Sequence, residues 1–156
     1  ILWCMQTVEV QNQAESVALA ERLGQVLAPG DVVILNGALA AGKTFFVKSL
    51  TEALGSTDYI SSPTYTIANF YNIPQGSVLH MDAYRLESIE EFRDLGLEEY
   101  FPDVITLIEW GDKVADDFED YLVINIDFVG QEKEQRHYQF AAVGARAQEV
   151  LEKLKA

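Results

Sequence analysis

Apolar residues along this chain fall into two rhythms, one of period two and one of three to four, and their succession predicts the elements. Thr7-Val-Glu-Val-Gln11 alternates and reads as an edge strand. Asn12-Gln-Ala-Glu15 carries an N-cap residue with Glu three positions on, the pattern that opens a helix. Val17, Leu19, Ala20, Leu23, Val26 and Leu27 give that helix, over 13–27, one apolar side. Pro29-Gly30 stops it. Asp31-Val-Val-Ile-Leu-Asn36 is a continuous apolar, β-branched run and reads as a buried strand. A helix follows over 44–54 and stops at Gly55. The spans 64–71 and 77–84 alternate on either side of Pro74-Gln-Gly76, which predicts a β-hairpin.

The span 86–101 is acidic and helix-prone, broken at Gly96. Val104-Ile-Thr-Leu-Ile108 is a second continuous apolar run and a second buried strand. After a polar, acidic stretch at 112–120 come strands at 121–129 and 136–143 around a charged turn at 130–135, then a helix over 145–155. The expected fold class is α/β, with three α/β/α layers, a mixed and largely parallel central sheet, and antiparallel hairpins at its sides. With no repeat or linker in 156 residues, one domain over 1–156 is expected.

Between the first buried strand and its helix, Gly37, Gly42, Lys43 and Thr44 fit G-x-x-x-x-G-K-[ST], the phosphate loop of P-loop NTPases. Strand, glycine loop and helix in that order bring backbone N–H groups and the positive end of the helix to bear on a phosphate. The loop Gly37, Ala38, Leu39, Ala40, Ala41, Gly42, Lys43, Thr44, with Phe45 after it, is therefore the candidate nucleotide site. Lys43 is expected on the β- and γ-phosphates and Thr44 on Mg²⁺.

Hydrolysis asks for acids as well. Glu109 follows four apolar strand residues, so it stands at the carboxyl end of a buried strand, the edge where open α/β sheets bind ligands. Asp82, mid-strand by the alternation, is either a metal-site acid or the partner of Arg85. His80 and Tyr84 share its face. His80 reads as a hydrogen-bonded strand residue and stays outside the catalytic set. Thr64, in Ser61-Ser-Pro-Thr-Tyr65, is placed either to sense the γ-phosphate or simply to start the hairpin. Neither zinc spacing nor a Ser/His/Asp arrangement can be built from one cysteine and two histidines.

Charge narrows the partners. Eleven Lys and Arg stand against 25 Asp and Glu, a net charge of −14, which disfavours extensive direct contact with nucleic acid. It serves solubility or a basic protein partner. Cys4 alone cannot form an internal disulfide, no run approaches a membrane span and no leader is read before the first strand, so a reducing cytoplasmic setting away from membranes is expected.

Four motifs occur in one order: Gly37-x-Leu-x-Ala-Gly-Lys-Thr44, Ser62-Pro-Thr-Tyr65, His80-x-Asp-x-Tyr-Arg-Leu86 and Leu107-Ile-Glu-Trp110. Together they resemble the TsaE (YjeE) family over essentially the whole chain. The resemblance implies a bacterial P-loop ATPase that binds ATP and Mg²⁺. Such proteins work with TsaB, TsaC and TsaD in making N6-threonylcarbamoyladenosine in tRNA; they bind TsaB–TsaD and support multiple turnovers without transferring the group. It implies Thr44 and Glu109 as Mg²⁺ ligands, Asp82 as the acid that helps activate water, Thr64 as the switch threonine and Trp110 as the aromatic beside the site. Arg136 is the candidate for an arginine near the nucleotide, and tRNA is met only through the partners. The family's loop commonly reads Gly-Asp-Leu-Gly-Ala-Gly-Lys-Thr-Thr, whereas this chain has Ala38, Ala40 and Phe45 at three of those positions.

Two other readings compete. A P-loop small-molecule kinase would close an arginine-rich lid over its phosphates, but Arg22, Arg85, Arg93, Arg136 and Arg146 are scattered. A nucleotide-binding module without turnover is kept open by Ala40 and Phe45.

Overall fold

Continuous apolar runs make the central strands of this protein and alternating runs make the outer ones. A computed structural model of the chain describes residues 4–38, 41–60, 67–130 and 133–155. The elements are β1 (Cys4–Val10), α1 (Gln13–Gly24), β2 (Val32–Gly37), α2 (Lys43–Ala53), β3 (Ala68–Ile73), β4 (Gly76–Asp82), α3 (Ile89–Asp94), β5 (Ile105–Glu109), β6 (Tyr121–Phe128), β7 (Arg136–Val143) and α4 (Ala145–Lys155). Short 3₁₀ turns lie at Glu98–Asp103, Gly111–Lys113 and Ala115–Asp117.

Seven strands form one mixed sheet in the order β1-β7-β6-β2-β5-β4-β3. The four inner strands, β6, β2, β5 and β4, run parallel, while β7 and β1 on one side and β3 on the other add antiparallel pairs. The α/β sandwich expected from the two apolar runs is what forms, with β2 and β5 adjacent at its middle. Every residue of β5 is buried, as a strand covered on both faces must be.

Side chains alternate between two cores. Val33 and Leu35 of β2 face α1, α2 and α4, joining Leu23, Phe46, Leu50 and Leu151. Val32 and Ile34 face the other way, where Phe92 of α3, Leu86 and Val114 cover Met81 and Ile108. That second layer is thin. The span 86–101, read as one helix broken at Gly96, folds as the six-residue α3 and a 3₁₀ turn containing Pro102. Seven acids at 87, 90, 91, 94, 98, 99 and 103 against Arg93 leave little i,i+4 pairing to carry a longer helix.

Boundaries also move, those of α1 and β4 for reasons the contacts show. Helix α1 ends at Gly24, where a Cβ would stand 3.3 Å from that of Ala53 on α2, and Leu27 is buried beyond the helix end. Strand β4 stops at Asp82, because Asp82 Oδ1 accepts the N–H of Tyr84 at 2.9 Å and turns the chain. Asp82 is thus a strand-end residue and not a mid-strand one.

Below the sheet, Asp120 caps α4 from outside it: Oδ2 accepts the N–H of Arg146 at 2.9 Å and Oδ1 that of Ala147 at 2.8 Å. Arg146 in turn donates from Nε and Nη2 to the buried carboxylate of Asp31, both at 2.9 Å. Asp120→Ala is expected to lower stability by about 1–2 kcal/mol in urea unfolding through loss of that cap. A change of only a few tenths would mean solvent satisfies the helix end equally well. Among the described residues no helix is long and apolar enough to cross a membrane.

Candidate functional site

Parallel strands end together, and here their carboxyl ends carry the polar residues. Strand β2 ends at Gly37, β4 at Asp82 and β5 at Glu109. Asp82 and Glu109 lie directly opposite each other in the β4–β5 register. The chain leaves β2 with Gly37 at φ +152°, closes an Ala41 N–H to Ala38 carbonyl bond at 3.1 Å, and enters α2 through Gly42 at φ +110°. Among the described residues no side chain caps the start of α2, the kind of helix end at which anions bind.

Lys43, in the first turn of α2, is only 5% exposed. Its Nζ donates to the carbonyls of Gly37 at 2.8 Å and Ala38 at 2.9 Å, and lies 4.2 Å from the centroid of the Trp110 ring. Burial pulls its pKa below the usual lysine range, while the carboxylates of Glu109 and Asp82 pull it upward. Thr44 donates its hydroxyl to Glu109 Oε1 at 3.0 Å. Residues 65 positions apart are so brought into direct contact at the foot of the loop.

Trp110 follows Glu109 in the left-handed region, φ +59° and ψ +37°, the one non-glycine residue with positive φ among those described. That conformation costs about 1–2 kcal/mol, and it is held by the Trp110 N–H donating to the Leu35 carbonyl at 2.9 Å. The turn lays the indole over Lys43 and 5.1 Å from the ring of Tyr84. Arg136, at the start of β7, reaches the loop from its other side: Nε donates to the Ala41 carbonyl at 2.9 Å and Nη1 to those of Lys133 and Gln135. Phe45 lines a recess of about 180 Å³ between α1 and the loop, with Gln13, Ser16, Gly42, Arg136 and Tyr138.

The structure therefore brings together Gly37, Ala38, Ala41, Gly42, Lys43, Thr44, Phe45, Asp82, Glu109, Trp110 and Arg136. Leu39 and Ala40 of the loop, and Thr64 with the rest of 61–66, lie outside the described residues. Asp82 makes no ion pair with Arg85 among the described residues; its Oδ1 accepts the Tyr84 N–H, and its charge helps to raise the pKa of Lys43. The residue passed over in the sequence is His80. It is wholly buried, with Nε2 2.6 Å from Glu109 Oε2. Its shared face with Asp82 was a signal, but contact with Glu109 depends on the register of β4 on β5, which no local pattern carries.

Two hard-oxygen donors in contact, the Thr44 hydroxyl and the Glu109 carboxylate, with a second carboxylate beside them, suit Mg²⁺, which takes one or two protein ligands and fills its octahedron with phosphate and water. Among the described residues no group of three or more His, Cys, Asp or Glu is arranged to hold a metal by itself.

Comparison with known proteins identifies the family. Residues 10–138 match the family model described as threonylcarbamoyl adenosine biosynthesis protein TsaE. The tRNA threonylcarbamoyladenosine biosynthesis protein TsaE of Bacillus subtilis strain 168 is 39% identical over 145 residues, covering 92% of this chain and 89% of that protein. Its counterpart in Streptomyces coelicolor is 39% identical over 134 residues, 82% of this chain and 90% of the relative. The crystal structure of Bacillus subtilis YdiB superimposes with a TM-score of 0.82 at 32% identity, covering 99% of this chain and 97% of that one. On these likenesses, and on the loop and acids that the fold assembles, the chain belongs to the TsaE family of tRNA threonylcarbamoyladenosine biosynthesis proteins.

Proposed function

We propose that this chain is a Mg²⁺-dependent ATPase subunit of tRNA threonylcarbamoyladenosine synthesis, acting with TsaB–TsaD to allow repeated turnover. The observation that carries the reading is the convergence of Lys43, Thr44, Glu109 and Asp82 at the carboxyl end of three parallel strands. The uncapped start of α2 and the loop amides hold the phosphates. Lys43 exchanges the Gly37 and Ala38 carbonyls for the β- and γ-phosphate oxygens. Thr44 and Glu109 would hold Mg²⁺, which when bound neutralises charge on the phosphate oxygens. Asp82 orients the attacking water and takes its proton as the terminal P–O bond breaks to release ADP and phosphate. Trp110 packs against the lysine, Arg136 stabilises the loop from behind, and Thr64 is assigned to sensing the γ-phosphate.

A net charge of −14 supports contact with tRNA through the partner proteins and not through this surface. The test is incubation with γ-labelled ATP. Free phosphate is expected, faster with TsaB–TsaD and at the level of buffer when the metal is chelated. Label transferred to an added small-molecule acceptor would favour a kinase. ATP recovered intact with and without the partners would leave a binding module, the reading that Phe45 at the recess beside the loop favours.

A further inference from the structure

His80 lies on β4 two residues before Asp82, on the face that looks toward α2. It is 0% exposed, and burying an imidazole without compensation is costly. Nε2 stands 2.6 Å from Glu109 Oε2, and since a carboxylate oxygen accepts, the ring donates. Among the described residues the buried Nδ1 has no hydrogen-bond partner. The ring's polar role is thus spent on one residue. Glu109 is held from both sides, Oε1 by the Thr44 hydroxyl and Oε2 by His80. A glutamate has three side-chain torsions to fix. Two opposed donors fix them in the orientation that turns Oε1 toward the phosphate loop. A histidine serving only to fill the core would do so no better than leucine, and leucine would leave no unsatisfied Nδ1.

We propose that His80 is a positioning residue for Glu109, holding the carboxylate in the orientation in which it meets Thr44. The proposal rests on the reading of Glu109 as the acid that shares a cation with bound ATP. Outer partners that orient metal-holding groups are typically worth about 10- to 100-fold in affinity or rate.

Three proteins enter the first readout: wild type, His80→Leu, which keeps volume and loses the donor, and His80→Gln, which returns an N–H near the position of Nε2. Calorimetry of ATP binding with Mg²⁺ and with chelator is the first readout. His80→Leu is expected to bind metal-free ATP within about twofold of wild type and to lose about tenfold or more of the gain that Mg²⁺ brings. His80→Gln is expected to recover most of it. In turnover, kcat/KM should fall about 10- to 100-fold, with KM rising as the Mg²⁺-dependent affinity is lost. A His80→Leu protein with the full Mg²⁺-dependent gain overturns the proposal and leaves a packing role. The second readout needs no nucleotide. In a nitrogen-labelled sample the imidazole Nε2–H should give a slowly exchanging resonance that is lost in Glu109→Ala. Its absence from wild type overturns the proposal even if ATP is hydrolysed. Its presence in a protein that neither binds Mg²⁺–ATP nor hydrolyses it would fail the functional reading while keeping the contact.

Discussion

Lys43→Ala is expected to weaken ATP binding about a hundredfold or more and to bring hydrolysis to background. A hundredfold is about 2.8 kcal/mol, within the range for removing one partner of a desolvated charge-assisted contact. The position of the side chain argues for the upper part of that range. Lys43 is 5% exposed and its Nζ is held by the Gly37 and Ala38 carbonyls, so the side chain is already buried and aimed into the loop before any phosphate arrives. It is also the cation that offsets Glu109 and Asp82. Without it, two carboxylates meet an incoming triphosphate with one cation fewer between them, and repulsion is added to the lost attraction. Lys43→Met separates the two contributions of the residue, keeping the stem packed near Trp110 while removing the charge. Calorimetry on both variants, with unfolding midpoints as the control for folding, checks this. Affinity unchanged in Lys43→Met would show that the loop amides alone bind the phosphates.

Why this loop was legible, and His80 was not, follows from how far each signal reaches. The phosphate loop is local: its glycines, lysine and threonine sit within eight residues, flanked by a strand and a helix whose rhythms differ. Glu109 was legible because four apolar residues precede it, and the end of a buried parallel strand is where polar residues meet ligands. Asp82 was legible as an unusual acid in a strand, though its place at the very end of β4 depends on the turn that its own side chain makes with Tyr84. Arg136 came only from the resemblance; nothing within its neighbourhood at 130–136 shows that it will reach the Ala41 carbonyl, 95 positions away. The left-handed backbone of Trp110 has no signature either, because the bond that holds it comes from Leu35 on another strand. The acidic span 86–101, read as helix-prone and broken at Gly96, does break there, with Gly96 at φ +68°, but beyond the break it forms a 3₁₀ turn containing Pro102 and not an α-helix.

Gly37→Ala is expected to cost about 3 kcal/mol or more, the largest stability loss from any single methyl in the loop. Two penalties add there. The residue sits at φ +152°, where a side chain is strained by about 1–3 kcal/mol. The added Cβ would also stand 2.3 Å from the carbonyl oxygen of Ile126, its neighbour in the parallel β2–β6 register. That oxygen belongs to backbone inside the sheet and cannot swing aside, so β6 must move, and overpacking of this kind costs typically about 1–3 kcal/mol. Gly42 is the internal control. It has φ +110° but open space around its Cβ position, so Gly42→Ala pays for backbone strain alone, about 1–3 kcal/mol. Urea unfolding of the two variants side by side should place Gly37→Ala well below Gly42→Ala in midpoint with similar slopes. Equal losses would mean that left-handed backbone alone, and not the close approach of β6, requires glycine at the first position of the loop.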